Sequence, residues 1–121
     1  DFINSQLADT ISYYDYAENF YHGFMLGILT NIGGYRVKSN RESGNGRPDI
    51  VMTESKFRGR AMILELKISD TIQGMEKKCE EAFTQMKEQN YAVTLAEDGY
   101  QPILKYAICF FKKGCMVKKA E

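Results

Sequence analysis

Two ionisable residues interrupt an apolar run, Ala61-Met62-Ile63-Leu64-Glu65-Leu66-Lys67-Ile68. Burying an unpaired charge is expensive, so Glu65 needs a partner or a metal nearby. If the run is a strand, Glu65 and Lys67 stand two apart and face one side of it. Taken alone, such a pair also suits a solvated end of a sheet, where neighbouring charges satisfy it. Asp49 changes the context. It follows Gly46-Arg47-Pro48 where an earlier apolar run begins, and if the two runs pair in a hairpin, Asp49 and Glu65 point into one cleft. Two carboxylates and further oxygen ligands suit a hard cation such as Mg2+. Such an ion keeps waters, one of which can serve as nucleophile, with Lys67 beside it to orient it and ease its deprotonation. The ion also stabilises charge on phosphoryl oxygens. The chemistry this set could perform is hydrolysis of a phosphodiester.

These residues need elements to hold them. From about Asp9 to Ile32, apolar residues recur at helical spacing, and Gly33-Gly34 supplies an ending. Gly23 and Gly27 inside this helix suggest close packing against another element. Tyr35 to Asn40 alternates like a strand, Ser43-Gly44-Asn45-Gly46 has turn chemistry, and Asp49 to Met52 reads as a second strand. Lys56 to Arg60 is a polar turn, followed by the third strand, Ala61 to Ile68, whose continuous apolar first half implies burial on both faces. Ser69 or Asp70 can cap a second helix running to about Asn90, with Ile72, Met75, Cys79, Ala82, Phe83 and Met86 as its buried stripe. A loop around Asp98-Gly99 leads to a fourth strand, Ile103 to Phe111, and a short fifth, Cys115 to Lys118. The order is α-β-β-β-α-β-β, an α/β class with one sheet.

Other side chains could join the site. Glu18 and His22 are four apart and share a face of the first helix. Glu18 could bind the metal or its water and His22 a phosphate; a surface pair ordering the helix is the alternative. Arg41 and Arg47 flank the cleft and could clamp a phosphate, or pair with surface acids such as Glu42. The tyrosines and phenylalanines of the first helix have the spacing of core residues rather than of a base-stacking platform.

Composition bounds the reading. The chain has 121 residues, 44% hydrophobic and 26% charged, which fits one soluble domain. It has no apolar run of the roughly 20 residues a membrane helix needs. No basic segment followed by an apolar stretch marks a signal peptide, and a start at Asp1 without methionine reads as a fragment of a longer protein. The three cysteines are odd in number and lack a C-x-x-C pair, which reads as reduced thiols in a cytoplasmic protein. With a single histidine, structural zinc is not expected. Net charge is zero, against strong non-specific nucleic-acid binding by the domain as a whole, yet residues 36–67 are rich in Lys and Arg while 70–98 are rich in Asp and Glu.

Pro48-Asp49, followed after a hairpin-length gap by Glu65-Leu66-Lys67, resembles the signature of the PD-(D/E)XK nuclease superfamily, and the element order resembles its restriction-endonuclease-like core. A nearer resemblance is to a bacterial subfamily whose nuclease-like domain follows an AAA-ATPase-like domain. It rests on Phe20-Tyr21-His22-Gly23-Phe24, Ser39-Asn40-Arg41-Glu42-Ser43-Gly44, Gly46-Arg47-Pro48-Asp49-Ile50 and Ile63-Leu64-Glu65-Leu66-Lys67. The resemblance implies a central mixed β-sheet flanked by helices. It implies Asp49 and Glu65 as ligands of Mg2+ or Mn2+, the Leu66 carbonyl completing the shell, and Lys67 as the catalytic lysine. It adds Glu18 as a further acidic residue near the metal and Gln85 on the second helix as a residue beside the site. DNA is the implied substrate, with no membrane partner. An AAA-ATPase-like domain in the same parent chain and a homodimer are implied as further partners. A catalytically silent module that grips nucleic acid or protein on the same fold is the competing function. Cleavage, as opposed to binding alone, separates the two.

Overall fold

Tyr21, Met25 and Leu29 recur every four residues and line the buried side of helix α1 (Glu18–Leu29), the first element of the computed structural model, which describes residues 18–40 and 48–120. The expected stretch 9–17 lies outside the described residues. The helix stops before Gly33-Gly34 because Thr30 Oγ1 and Asn31 Nδ2 donate back to the carbonyls of Leu26 and Gly27, each at 2.8 Å, and occupy the last turn. Among the described residues the two internal glycines mark no close packing, since a Cβ on Gly23 or Gly27 would meet none of them within 4 Å.

Five strands follow: β1 (Tyr35–Ser39), β2 (Ile50–Glu54), β3 (Ala61–Ile68), β4 (Ile103–Phe111) and β5 (Gly114–Lys119). They lie side by side in chain order. β3 and β4 are parallel and every other neighbouring pair is antiparallel, so the sheet is mixed, as expected. A parallel pair needs a long crossover. Here it is made by α2 (Met75–Gln89) and a short helix, α3 (Tyr91–Glu97), which the sequence reading did not foresee. Asn90 separates the two with φ 55°, a left-handed conformation asparagine tolerates better than most residues.

The start of α2 corrects a second expectation. Neither Ser69 nor Asp70 caps it. Ser69 Oγ is engaged with the backbone of Thr71, donating to its carbonyl at 2.5 Å and accepting from its N–H at 3.2 Å, and Gly74 is the N-cap without a side-chain bond. Ile72 therefore sits in the turn, 65% exposed, while Met75, Cys79, Ala82 and Met86 form the buried stripe.

The sheet is covered on both faces. Tyr21, Met25 and Leu29 of α1 pack on Ile50, Met52, Leu64, Leu66, Ile108 and Phe110, the residues of β2, β3 and β4 that point to one side. The Tyr21 ring stacks on Phe110 with centroids 4.4 Å apart. The alternate residues Val51, Ala61 and Ile63, with Ala107 and Cys109, meet α2 and Leu95 of α3. Among the described residues no helix is long and apolar enough to cross a membrane. Cys79 and Cys109 are free thiols, and burial pushes the Cys109 and Cys115 thiols up to about 11.

Candidate active site

On β3, Leu64 and Leu66 belong to the α1 side, so Glu65 and Lys67 point to the side that α2 covers. β2 pairs with β3 as Ile50 opposite Leu64. One step further along this register, Asp49 stands opposite Glu65 on the same face. The contacts agree: the Asp49 N–H donates to Glu65 Oε1 at 3.2 Å, and Asp49 Oδ2 accepts the Leu66 N–H at 2.9 Å. One more step puts Pro48 opposite Leu66, and proline has no N–H to give. The ladder therefore ends here, and the Asp49 side chain takes the place of the missing strand at Leu66. In an extended strand a residue's N–H and C=O turn to the same neighbour, so the Leu66 carbonyl also faces the Asp49 side.

From above, α2 reaches down with glutamines. Lys67 Nζ donates to Gln85 Oε1 at 2.6 Å, and Gln89 hydrogen-bonds the Glu65 carboxylate. Asp49, Glu65, Lys67, Lys78 and Gln85 line a cleft of about 290 Å3. A larger hollow of about 440 Å3, bounded by Phe83, Lys87 and Ile103, lies elsewhere and has no carboxylate side chain in its lining.

Glu65 is 1% exposed. Burial first, and the Asp49 charge second, push its carboxyl up from 4.5 to about 7, against the pull of the Asp49 N–H, Lys67 and Gln89. Two acids that repel each other in a desolvated cleft are the setting that a divalent cation relieves. Their oxygens, with a carbonyl beside them, are the donors a hard cation takes. Among the described residues no third Asp, Glu, His or Cys joins them.

A family model for the PD-(D/E)XK nuclease superfamily matches residues 16–120. The chain belongs to the PD-(D/E)XK nuclease superfamily. The solved structure of Hjc from Archaeoglobus fulgidus, a Holliday junction resolvase from an archaeal hyperthermophile, matches with a TM-score of 0.51 and 13% identity, over 82% of this chain and 72% of that one. At that identity the likeness speaks for the restriction-endonuclease-like fold. No curated protein matches the chain. PD-(D/E)XK nucleases generally use divalent metal ions, and the donor set at Asp49 and Glu65 is compatible with one.

Within this PD-(D/E)XK domain the structure gathers Asp49, Glu65, Leu66, Lys67 and Gln85 at one cleft. Glu18 opens α1, but its side chain lies outside the described residues, as do Arg41 and Arg47. His22 is not in the cleft lining. It is 5% exposed, on the α1 side of the sheet, with Nε2 2.6 Å from Ser39 Oγ at the end of β1. Three neighbours of the cleft were missed by the sequence reading. Lys78 and Gln89 follow from Gln85 by helical steps of seven and four, which place all three on one face of α2. Asn40 is the third. The Asn40 N–H donates to the Asp49 carbonyl at 2.9 Å, which continues the β1–β2 ladder and puts Asn40, Asp49 and Glu65 in one row across three strands. Asn40 is 2% exposed, and among the described residues its side-chain oxygen and nitrogen have no hydrogen-bond partner. Nothing in a polar residue at the end of a strand announces this.

Proposed function

We propose that this nuclease hydrolyses phosphodiester bonds of DNA, with Mg2+ or Mn2+ held by Asp49, Glu65 and the Leu66 carbonyl. The observation that carries the reading is the adjacency of two carboxylates, one of them buried, at the foot of a cleft that also contains Lys67. When bound, the cation lowers the pKa of a coordinated water and polarises a phosphoryl oxygen.

The chain's own residues supply the rest. Lys67 Nζ, tethered by Gln85, is the positive charge at hand to orient the attacking water and to offset charge growing on the phosphoryl group. The Leu66 N–H fixes the rotamer of Asp49. Gln89 and the Asp49 N–H fix that of Glu65. Lys78, 3.7 Å from Glu81, adds a second cation at the cleft wall. Glu18 as a further acid near the ion, and Arg41 and Arg47 as phosphate contacts, complete the proposed site; His22, buried on the α1 side, is not part of it. In a longer parent chain, an AAA-ATPase-like domain or a second copy would help to capture substrate.

The test is cleavage of labelled single- and double-stranded DNA with Mg2+ or Mn2+, beside EDTA. Asp49→Asn and Glu65→Gln should each lower the rate by about a hundredfold or more. Both should also abolish the rise in melting temperature that the metal alone gives the wild type. Undiminished cutting by either variant, or cutting that survives EDTA, would overturn the assignment. Binding without cutting by the wild type would point to a silent module.

A further inference from the structure

Phe57 is 88% exposed, more than any other large apolar side chain described. It stands in the turn of residues 55–60 that joins β2 to β3, and that turn is firmly built. Glu54 Oε1 accepts the Arg60 N–H at 2.9 Å, the Gly59 N–H donates to the Lys56 carbonyl at 3.2 Å, and the Gly59 carbonyl accepts from Gln101 at 3.0 Å. The next residue, Arg58, is held in the left-handed region at φ 57°, with its guanidinium 5.3 Å from the Phe57 ring centroid. A fixed turn thus presents a bare aromatic ring with a cation beside it.

The turn continues a line of positive charge. The Ser55 N–H donates to the Gly34 carbonyl at 2.8 Å, which sets the turn beside the start of β1. Tyr35 and Val37 pack toward α1, so Arg36 and Lys38 point to the face that carries Asp49. Both are exposed. Arg36 lies opposite Thr53 and Lys38 opposite Val51, and Asn40 and Asp49 come next. From the row of Asp49 to that of Thr53 is four residues, about 13 Å of strand. Lys56 and Arg60 are paired with Glu54, but among the described residues Arg36, Lys38 and Arg58 have no acid within ion-pair distance. Beyond Lys67 and Gln85 the surface of α2 is mixed, with Glu80, Glu81 and Glu88 beside Lys77, and Lys78 3.7 Å from Glu81. A polyanion leaving the cleft is drawn along the cations of β1 rather than over the mixed charges of α2. Charges on an edge strand also deter sheet-to-sheet pairing, but that role accounts for neither Phe57 nor Arg58.

Resting on the nuclease reading above, we propose that β1 and the β2–β3 turn form a track for an unpaired nucleic-acid strand, with Phe57 stacked on a base and Arg36, Lys38 and Arg58 on the phosphates. An aromatic ring needs the open face of a base, which an intact duplex does not offer.

Fluorescence polarisation of labelled single-stranded and duplex DNA, in EDTA, tests the track, with cleavage in Mg2+ measured alongside. Phe57→Ala should weaken single-strand binding about tenfold and leave duplex binding unchanged. Arg36→Ala with Lys38→Ala should reduce the log–log salt slope for single strands by about 1.4. All these side chains are exposed, and unchanged melting of the variants verifies folding. If Phe57→Ala binds single strands like a wild type that still cuts, the track is wrong and the nuclease reading stands; a protein-docking turn would give that result. Equal weakening for single strands and duplex overturns the stacking contact. A wild type that neither binds nor cuts DNA is a failure of the nuclease reading, and the track falls with it.

Discussion

Glu65 sits where an acid is poorly tolerated. Its carboxyl is buried under α2 beside Asp49, and both facts push it up from 4.5 to about 7. The sign of the resulting pH dependence follows directly. A carboxyl whose pKa is higher in the folded chain than in the unfolded one binds more protons when folded, so its contribution to stability is fully present below pH 4.5 and is lost as pH rises through about 7. The shift corresponds to on the order of 3 kcal/mol between those limits. Without metal, the domain should weaken from pH 5 to pH 8, and Glu65→Gln, which keeps the shape without the titration, should remove most of that slope. Urea unfolding in EDTA at the two pH values measures it. Identical slopes for wild type and variant would show that Glu65 does not titrate in this window. The same variant should gain stability and lose cleavage, the pattern of a residue kept for chemistry rather than for folding.

At the scale of elements, the β2–β3 hairpin does most of the positioning, and its register must be held because a slip of one residue would send Glu65 to the α1 side. Gly59 helps to hold it. A Cβ there would lie 2.8 Å from Glu54 Cβ and 3.1 Å from two backbone oxygens, so Gly59→Ala should cost about 1–3 kcal/mol. Gly33→Ala, with nothing within 4 Å of the added carbon, is the control. Chemical denaturation of both variants compares them, and equal stability would mean that the turn yields easily. The hairpin was also the most legible part of the sequence. The bounds of β3 were readable because four successive apolar residues, then Glu65 and Lys67, admit few other structures, and those of β4 for a similar reason. The cap of α2 was misread because Ser69 and Asp70 have the right chemistry one turn too early, and only tertiary contacts show that Ser69 serves the turn at Thr71 instead. α3 was invisible because Leu95 is its one fully buried residue, too little for a periodic signal. Gln89 and Asn40 were missed for a related reason: their neighbourhood is set by strand register and helix docking, not by residue type.

For the whole molecule, zero net charge hides a division. Cations collect on β1 and the β2–β3 turn, while the outer face of α2 mixes Glu80, Glu81 and Glu88 with Lys77, and the cleft lies between them. A second large-scale feature is that the strands lie in the sheet in the order of the chain, with residues 69–102 looping out before β4 returns parallel to β3. This arrangement bears on folding kinetics. Antiparallel neighbours joined by short turns can zip within microseconds, whereas the parallel pair must first close a long loop. The carboxylates and Lys67, all between residues 49 and 67, should therefore be brought together before α2 closes over them. Pulse-labelled hydrogen exchange during refolding should find the amides that bond β2 to β3 protected ahead of those that bond β3 to β4; simultaneous protection would mean a single concerted nucleus. If the order holds, a chain emerging from the ribosome displays Asp49 and Glu65, the proposed cation ligands, to solvent before it has a cleft to bury them in, and on that proposal metal capture begins during synthesis.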